Sequence, residues 1–281
     1  MFSISGRGRS LTVAALCEAL LVAVAVYAKT YPANGIVLRV DSAAREVVIS
    51  HRPIAGYMDA MVMPFRVRDA RELDGLRPGT EVGFELVVGN GKSEVRKLRV
   101  RRVALDVPLS GQRDKVAIGA AMPDFALTDQ MGRTVRLSDF RGKVVAVNFI
   151  YTRCPLPDVC PRLSANFARV QARFAARMPR DLVLLSITLD PGYDTPTTLL
   201  EYARIWKANP DAWRLLTGSQ AAIEGVAARF GMHFWPEEGL ITHTSQTAII
   251  GRDGKLAAAI EGSNYMAKQL GDLIGRVLEE Q

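Results

Sequence analysis

A change in hydrophobic rhythm near residue 110 divides this chain of 281 residues into two kinds of fold. From Ile36 to Ala104 the apolar residues come in short runs broken by turns: Ile36 to Val40, Glu46 to His51, Met61 to Val67, Val82 to Val88 and Ser93 to Ala104. The breaks are turn sequences, notably Arg77-Pro78-Gly79-Thr80 and Gly89-Asn90-Gly91, with one helical piece at Ala70 to Leu76. Five short strands in about seventy residues predict a small, OB-like all-β barrel, because closure removes the edges that a lone meander would leave exposed. Beyond residue 118 the pattern is different. Val144 to Ile150 and Leu182 to Ile187 are continuous apolar runs suited to central strands, while Leu163, Phe167, Val170 and Phe174 share one helical face. Helical stretches at Thr197 to Trp206 and Gln220 to Phe230, a hairpin from Thr247 to Ile260 and a last helix from Ala267 to Leu278 complete an α/β sandwich of the thioredoxin-like kind. With 48% apolar residues the chain can fill both cores.

The expected domains are therefore 33–106 for the barrel, 107–117 for a linker and 118–281 for the α/β unit. Residues 1–28 stand apart: Arg7 and Arg9 precede an apolar run from Leu11 to Tyr27, and Val26-Tyr27-Ala28 offers a small-residue cleavage site. This segment reads as an export signal, either cleaved or retained as a membrane anchor. Export places the chain in an oxidising compartment, the periplasm or the outer face of an inner membrane. Cys17 lies within the apolar run as filler, which leaves Cys154 and Cys160 as the two thiols of the exported part. The formal charge of +7 is scattered; its densest stretch, Arg96 to Arg102, alternates along a strand and reads as a solvated face, which argues against a nucleic-acid partner.

Met61 and Met63 are two apart, so a strand points both thioethers to one face, and His51 ends the strand before them. Thioether and imidazole form a soft donor set suited to Cu(I), although methionines also commonly fill cores. The stretch from His51 through Met58, Met61 and Met63 to Phe65 resembles the ligand loop of CusF-like periplasmic copper chaperones, in which one histidine and a Met-x-Met pair bind Cu(I). That resemblance gives His51, Met61 and Met63 the ligand roles. It places Met58 where the type member carries a tryptophan over the metal, as a fourth ligand or a lid.

Cys154 and Cys160 flank a five-residue loop between a buried strand and a helix starting near Pro161, where a thiol ionises more easily. From the residues alone, thiol redox, metal binding and a structural disulfide are all open. The segments Asn148 to Cys154, Asp158 to Pro161, Ser186 to Asp190, Trp213 to Gly218, and His243 with Ala248 to Gly254 resemble the Sco/SenC family in order and spacing. These proteins are copper chaperones and thiol reductants that help assemble the binuclear copper centre of cytochrome c oxidase, using two cysteines and one histidine. The resemblance gives those roles to Cys154, Cys160 and His243, and places Asp190 on a family motif as an orienting group or a strand-end cap. The chain departs from the family in one respect, Cys-x5-Cys in place of Cys-x3-Cys.

The implied function is an exported metallochaperone carrying copper, Cu(I) or Cu(II), toward the copper-bearing subunit of cytochrome c oxidase or another cuproprotein. The alternatives are a thiol-disulfide oxidoreductase and a copper-buffering protein. A peroxiredoxin would need a threonine where Tyr151 stands, and the Met232-His233-Phe234-Trp235 cluster reads as a packed edge.

Overall fold

The computed structural model describes residues 28–89, 92–101 and 114–280. The expected signal, the Asn90-Gly91 turn and most of the expected linker lie outside the described residues. Among those described, no helix is long and apolar enough to cross a membrane.

The first unit is one antiparallel sheet of β1 (Lys29–Asp41), β2 (Glu46–His51), β3 (Val62–Arg66), β4 (Glu81–Gly89) and β5 (Lys92–Val100), in the order β3-β2-β1-β4-β5. Its outer strands approach each other at a parallel bridge between Val67 and Val95, so the sheet curls around a core of Val37, Val47, Ile49, Phe65, Val82, Leu86 and Val95. The helical piece is a short 3-10 turn, Ala70–Leu73, whose start is capped by the Asp69 side chain. Strand β1 begins seven residues earlier than the apolar pattern indicates. Its first half pairs with β4 and its second half with β2, so at Pro32 only one side needs a ladder, and a proline is tolerated there. Pro64 is tolerated for a similar reason, since β3 is an outer strand.

The second unit is a seven-stranded mixed sheet in the order β14-β13-β8-β9-β10-β6-β7. Its centre is β8 (Val144–Ile150), β9 (Leu182–Thr188) and β10 (Trp213–Thr217), mutually parallel. Strands β13 (Gln246–Ile250) and β14 (Leu256–Glu261) extend one side and β6 (Ala126–Asp129) and β7 (Thr134–Arg136) the other, all antiparallel to their neighbours. Helices α1 (Cys160–Arg173), α2 (Pro196–Ile205) and α4 (Ala267–Glu279) cover one face, and α3 (Gln220–Arg229) covers the other. Every residue of β8 and β9 is buried, which is why both read as unbroken apolar runs. Strands β6 and β7 are four and three residues long, too short to carry a readable period. A small separate ribbon, β11 (Phe234–Glu237) with β12 (Leu240–His243), carries His243 at its end. Met232 is buried and accepts a hydrogen bond from Thr244 Oγ1, in keeping with the packed-edge reading of its cluster.

The two units share a core. Ile36 and Leu38 of β1 join the apolar cluster of α1 and α4, with Val48 of β2 packed against it. In both strands the alternate residues Val37, Val47 and Ile49 point into the barrel instead, so β1 and β2 are buried on both faces. The turn at Gly79, with φ of +95°, approaches β14 so closely that a Cβ there would collide with the Ala259 backbone. Of the expected linker, the described end is held by the second unit, where Val116 N donates to Arg229 O.

Candidate functional sites

In the barrel, the side-chain alternation of β2 points His51 inward at the strand's end, with its ring 6.2 Å from that of Phe65. The His51 backbone N–H donates to Met61 O at 3.0 Å, setting Met61 directly opposite the histidine. Two residues on, Met63 shares the inward face of β3 with Phe65 and packs against the barrel core. Met58 is brought back to the same core by a tight loop in which Ile54 and Met58 exchange backbone hydrogen bonds, and Met61 is 39% exposed. The fold thus brings Met58 and Met63 onto the barrel core and joins the backbone of Met61 to that of His51, with the Met61 side chain at the surface. His51 is fully buried, and its Nδ1–H donates to Arg52 O at 2.7 Å. That bond fixes the tautomer and leaves Nε2 with a lone pair that has no hydrogen-bond partner. A buried unpaired ring nitrogen beside thioethers fits a soft monovalent cation, which needs donors but little charge.

In the second unit Cys154 follows β8, and Cys160 is the first residue of α1, one position before Pro161. Both thiols are free, Cys160 buried and Cys154 half-buried. A hydrogen bond from the Cys160 thiol, aided by backbone donors, lowers the Cys154 pKa to about 5, so Cys154 is a thiolate at neutral pH. The same interaction with Cys154, together with burial, pushes Cys160 strongly upward, and it keeps its proton. Tyr151 lies between this pair and His243: burial first, and then its contact with Cys154, raises it to about 12, and its ring meets the His243 ring edge-on at 5.9 Å. His243 repeats the arrangement of His51, with Nδ1–H donating to Thr244 O at 2.7 Å. Burial lowers its pKa and favours the neutral imidazole that a metal requires. As the structure stands, no three His, Cys, Asp or Glu side chains among the described residues are grouped tightly enough to enclose an ion. The two cysteines are in contact, and His243 packs against the far side of the site on the Tyr151 ring.

Asp190 faces the residue before Cys154: its carboxylate accepts from Arg153 Nε at 2.6 Å, and the Arg153 guanidinium also lies over the Tyr193 ring. Asp194, absent from the residues singled out in the sequence, is fully buried and accepts from both the backbone N–H and the hydroxyl of Thr152 and from Thr188 Oγ1. Burial raises its pKa. The two acids thus pin Thr152 and Arg153, the pair that leads into Cys154. A hint was available in the acidic pair of Asp190-Pro-Gly-Tyr-Asp194, downstream of a polar Thr152-Arg153 entry to the cysteine.

Comparison with known proteins decides the relationship. The SCO1/SenC family matches residues 114–278. The chain belongs to the SCO1/SenC family. The copper-binding periplasmic protein CusF matches residues 30–100, so this family member carries a CusF-like domain ahead of its thioredoxin-like one. A SCO1 protein homolog of Bacillus subtilis is 30% identical over 156 residues, 54% of this chain and 79% of that protein. A SCO1/SenC family lipoprotein of Bacillus anthracis superposes with a TM-score of 0.51 at 28% identity, covering 57% of this chain and 95% of that one. BsSco, described as having a disulfide switch and as a member of the Sco family of cytochrome c oxidase assembly proteins, gives a TM-score of 0.50 at 26% identity, with 57% and 95% covered. Each of these three relatives covers little more than half of this chain.

Proposed function

We propose that this protein is a copper chaperone that takes up Cu(I) at His51, Met61 and Met63, with Met58 as lid or fourth donor, and passes it to Cys154, Cys160 and His243 for delivery to a cuproprotein. The observation that carries this reading is the buried, unpartnered Nε2 of His51 at the barrel end where Met58 and Met63 pack on the core and the His51 backbone bonds to that of Met61. A ring nitrogen left unsatisfied in a core is costly unless something binds it. The likeness to CusF supports copper as that ligand, and the likeness to an oxidase assembly protein supports the copper-bearing subunit of cytochrome c oxidase as the recipient. Arginine-led residues 7–27 would hold the chain at or beyond an inner membrane.

The steps follow from the donors. Thioethers bind Cu(I) without releasing protons, so the barrel can take metal at any neutral pH. A thiolate at Cys154 is a stronger soft donor, and recruitment of Cys160 requires it to give up its proton, which makes the second site tighter and coupled to pH. In the test, Met61→Ala/Met63→Ala protein is given chelated Cu(I) and loading of the cysteines is followed by their protection from alkylation. Slower loading than in the parent chain supports the relay; unchanged loading contradicts it.

A second reading is favoured by the thiol asymmetry itself. Cys154 thiolate can attack a partner disulfide, forming a mixed disulfide and releasing one partner thiolate. Cys160, on losing its proton, then attacks Cys154 sulfur and displaces the second partner thiolate, leaving the chain oxidised and the partner reduced. A dithiol reductant must reset the pair. Stoichiometric reduction of a model disulfide by metal-free protein supports this activity, and no reduction by fully thiol-reduced protein counts against it.

A further inference from the structure

Three consecutive residues at the end of β2 serve two different surfaces. His51 points into the barrel, while Ser50 and Arg52, on either side of it, are held by the second unit. Ser50 is fully buried; its hydroxyl donates to Asp272 Oδ2 at 2.7 Å, and its carbonyl accepts from Gln269 Nε2 at 3.0 Å. Arg52 donates through Nη2 to Asn264 O. The carbonyl that fixes the His51 ring is that of Arg52, so the histidine is aimed by a residue anchored outside the barrel. The receiving segment, between β14 and α4, also holds the cysteine loop. Arg162 Nη1 donates to Asn264 Oδ1 at 3.0 Å, Arg162 Nη2 pairs with Asp158, and Ser263 Oγ donates to Asp158 O at 3.0 Å. Asp158 lies inside the Cys154–Cys160 loop.

We infer that Arg52, Asn264, Arg162 and Asp158 form a coupling chain through which the conformation of the cysteine loop sets the orientation of His51, so that the two sites influence each other's affinity. Arg52 and Arg162 are positioning residues in this scheme, and neither touches the metal. The chain gives the longer Cys-x5-Cys loop a fixed support, because its Asp158 is tied at both the carboxylate and the backbone carbonyl. By linkage, whatever the barrel ion does to the loop, the loop does to the barrel ion in equal measure.

This inference rests on the proposed metal site at His51, and the experiment separates the two. Ag(I), a redox-inert stand-in for Cu(I), is titrated into full-length Cys17→Ser/Cys154→Ser/Cys160→Ser protein, where no thiol competes for it. Arg162→Ala in that background, a change at the cysteine loop, is expected to weaken Ag(I) at the barrel by about fivefold, the lower end of ordinary allosteric coupling. Arg52→Ala is expected to weaken it similarly, and the double variant no further than either single change, since both break one chain. Gln220→Ala, remote from both sites, is expected to leave affinity unchanged, and circular dichroism confirms folding in each case. Ag(I) binding that depends on His51 but ignores Arg162→Ala, or fully additive losses, would overturn the inference alone. Binding indifferent to His51→Ala would overturn the metal site beneath it.

Discussion

The two sites treat their histidines alike and their sulfurs in opposite ways. His51 and His243 each donate Nδ1–H to the carbonyl of the following residue at 2.7 Å, leaving Nε2 as the free donor. The barrel surrounds that donor with thioethers, which neither ionise nor exchange. The thioredoxin-like unit offers two thiols of unequal acidity, one ionised at neutral pH and one held protonated. On the proposed function, the barrel site can therefore only hold a soft ion. The second site can hold an ion or move electrons, and it is held in place by Asp190 and Asp194 through Arg153 and Thr152. If both proposed roles hold, the fusion puts a redox-silent store beside a redox-capable handler.

The comparison breaks most sharply at the thiols. In a Cys17→Ser background, Cys154→Ser should sharply slow alkylation at neutral pH, because the remaining Cys160 is buried; mass spectrometry after a short iodoacetamide pulse checks this. If Cys160 then reacts as fast as the pair did, the asymmetry is wrong. Next in size, His51→Ala should weaken Cu(I) at the barrel by more than about 100-fold, since changes that merely orient a ligand already cost up to that much. Competition with a chelator in the cysteine-free background measures it.

A pH series sharpens the difference between the two sulfur chemistries. A depressed pKa means that Cys154 is ionised above about 5, so its observed alkylation rate constant should be level from pH ~6 to 8 and should fall below about 5. An ordinary cysteine would still be gaining reactivity at pH 8. The smallest expected effect is at the junction: Ser50→Ala removes one of three donors to Asp272 and should cost about 1 kcal/mol of stability, read by thermal or denaturant unfolding.

Much of this was legible in the residues. Strands β8 and β9 declared themselves because both faces are buried, and α1 and α4 because their apolar residues fall on one side. The Met-x-Met spacing and the cysteine loop pointed to both candidate sites before any geometry was known. Three things were not legible. Strands β6 and β7 are too short to show a period, and the start of β1 is polar and proline-bearing. Asp194 was hinted at only by its spacing from Asp190, and that spacing does not reveal that it is buried against Thr152 and Thr188. The docking of the barrel was hidden for a related reason: Ile36, Leu38 and Val48 are equally suited to a barrel core, and only the fold shows that they face α1 and α4 instead.

The account stands on the presence of two distinct soft-metal sites in one chain, and Cu(I) stoichiometry of the reduced protein under anaerobic chelator competition tests that most directly. Two ions per chain are predicted, falling to one in Cys154→Ser/Cys160→Ser, to one in His51→Ala, and to none when these changes are combined. A single ion that survives loss of the cysteines would make the second unit a thiol-redox module alone, and a single ion that survives loss of His51 would empty the barrel of its assigned role.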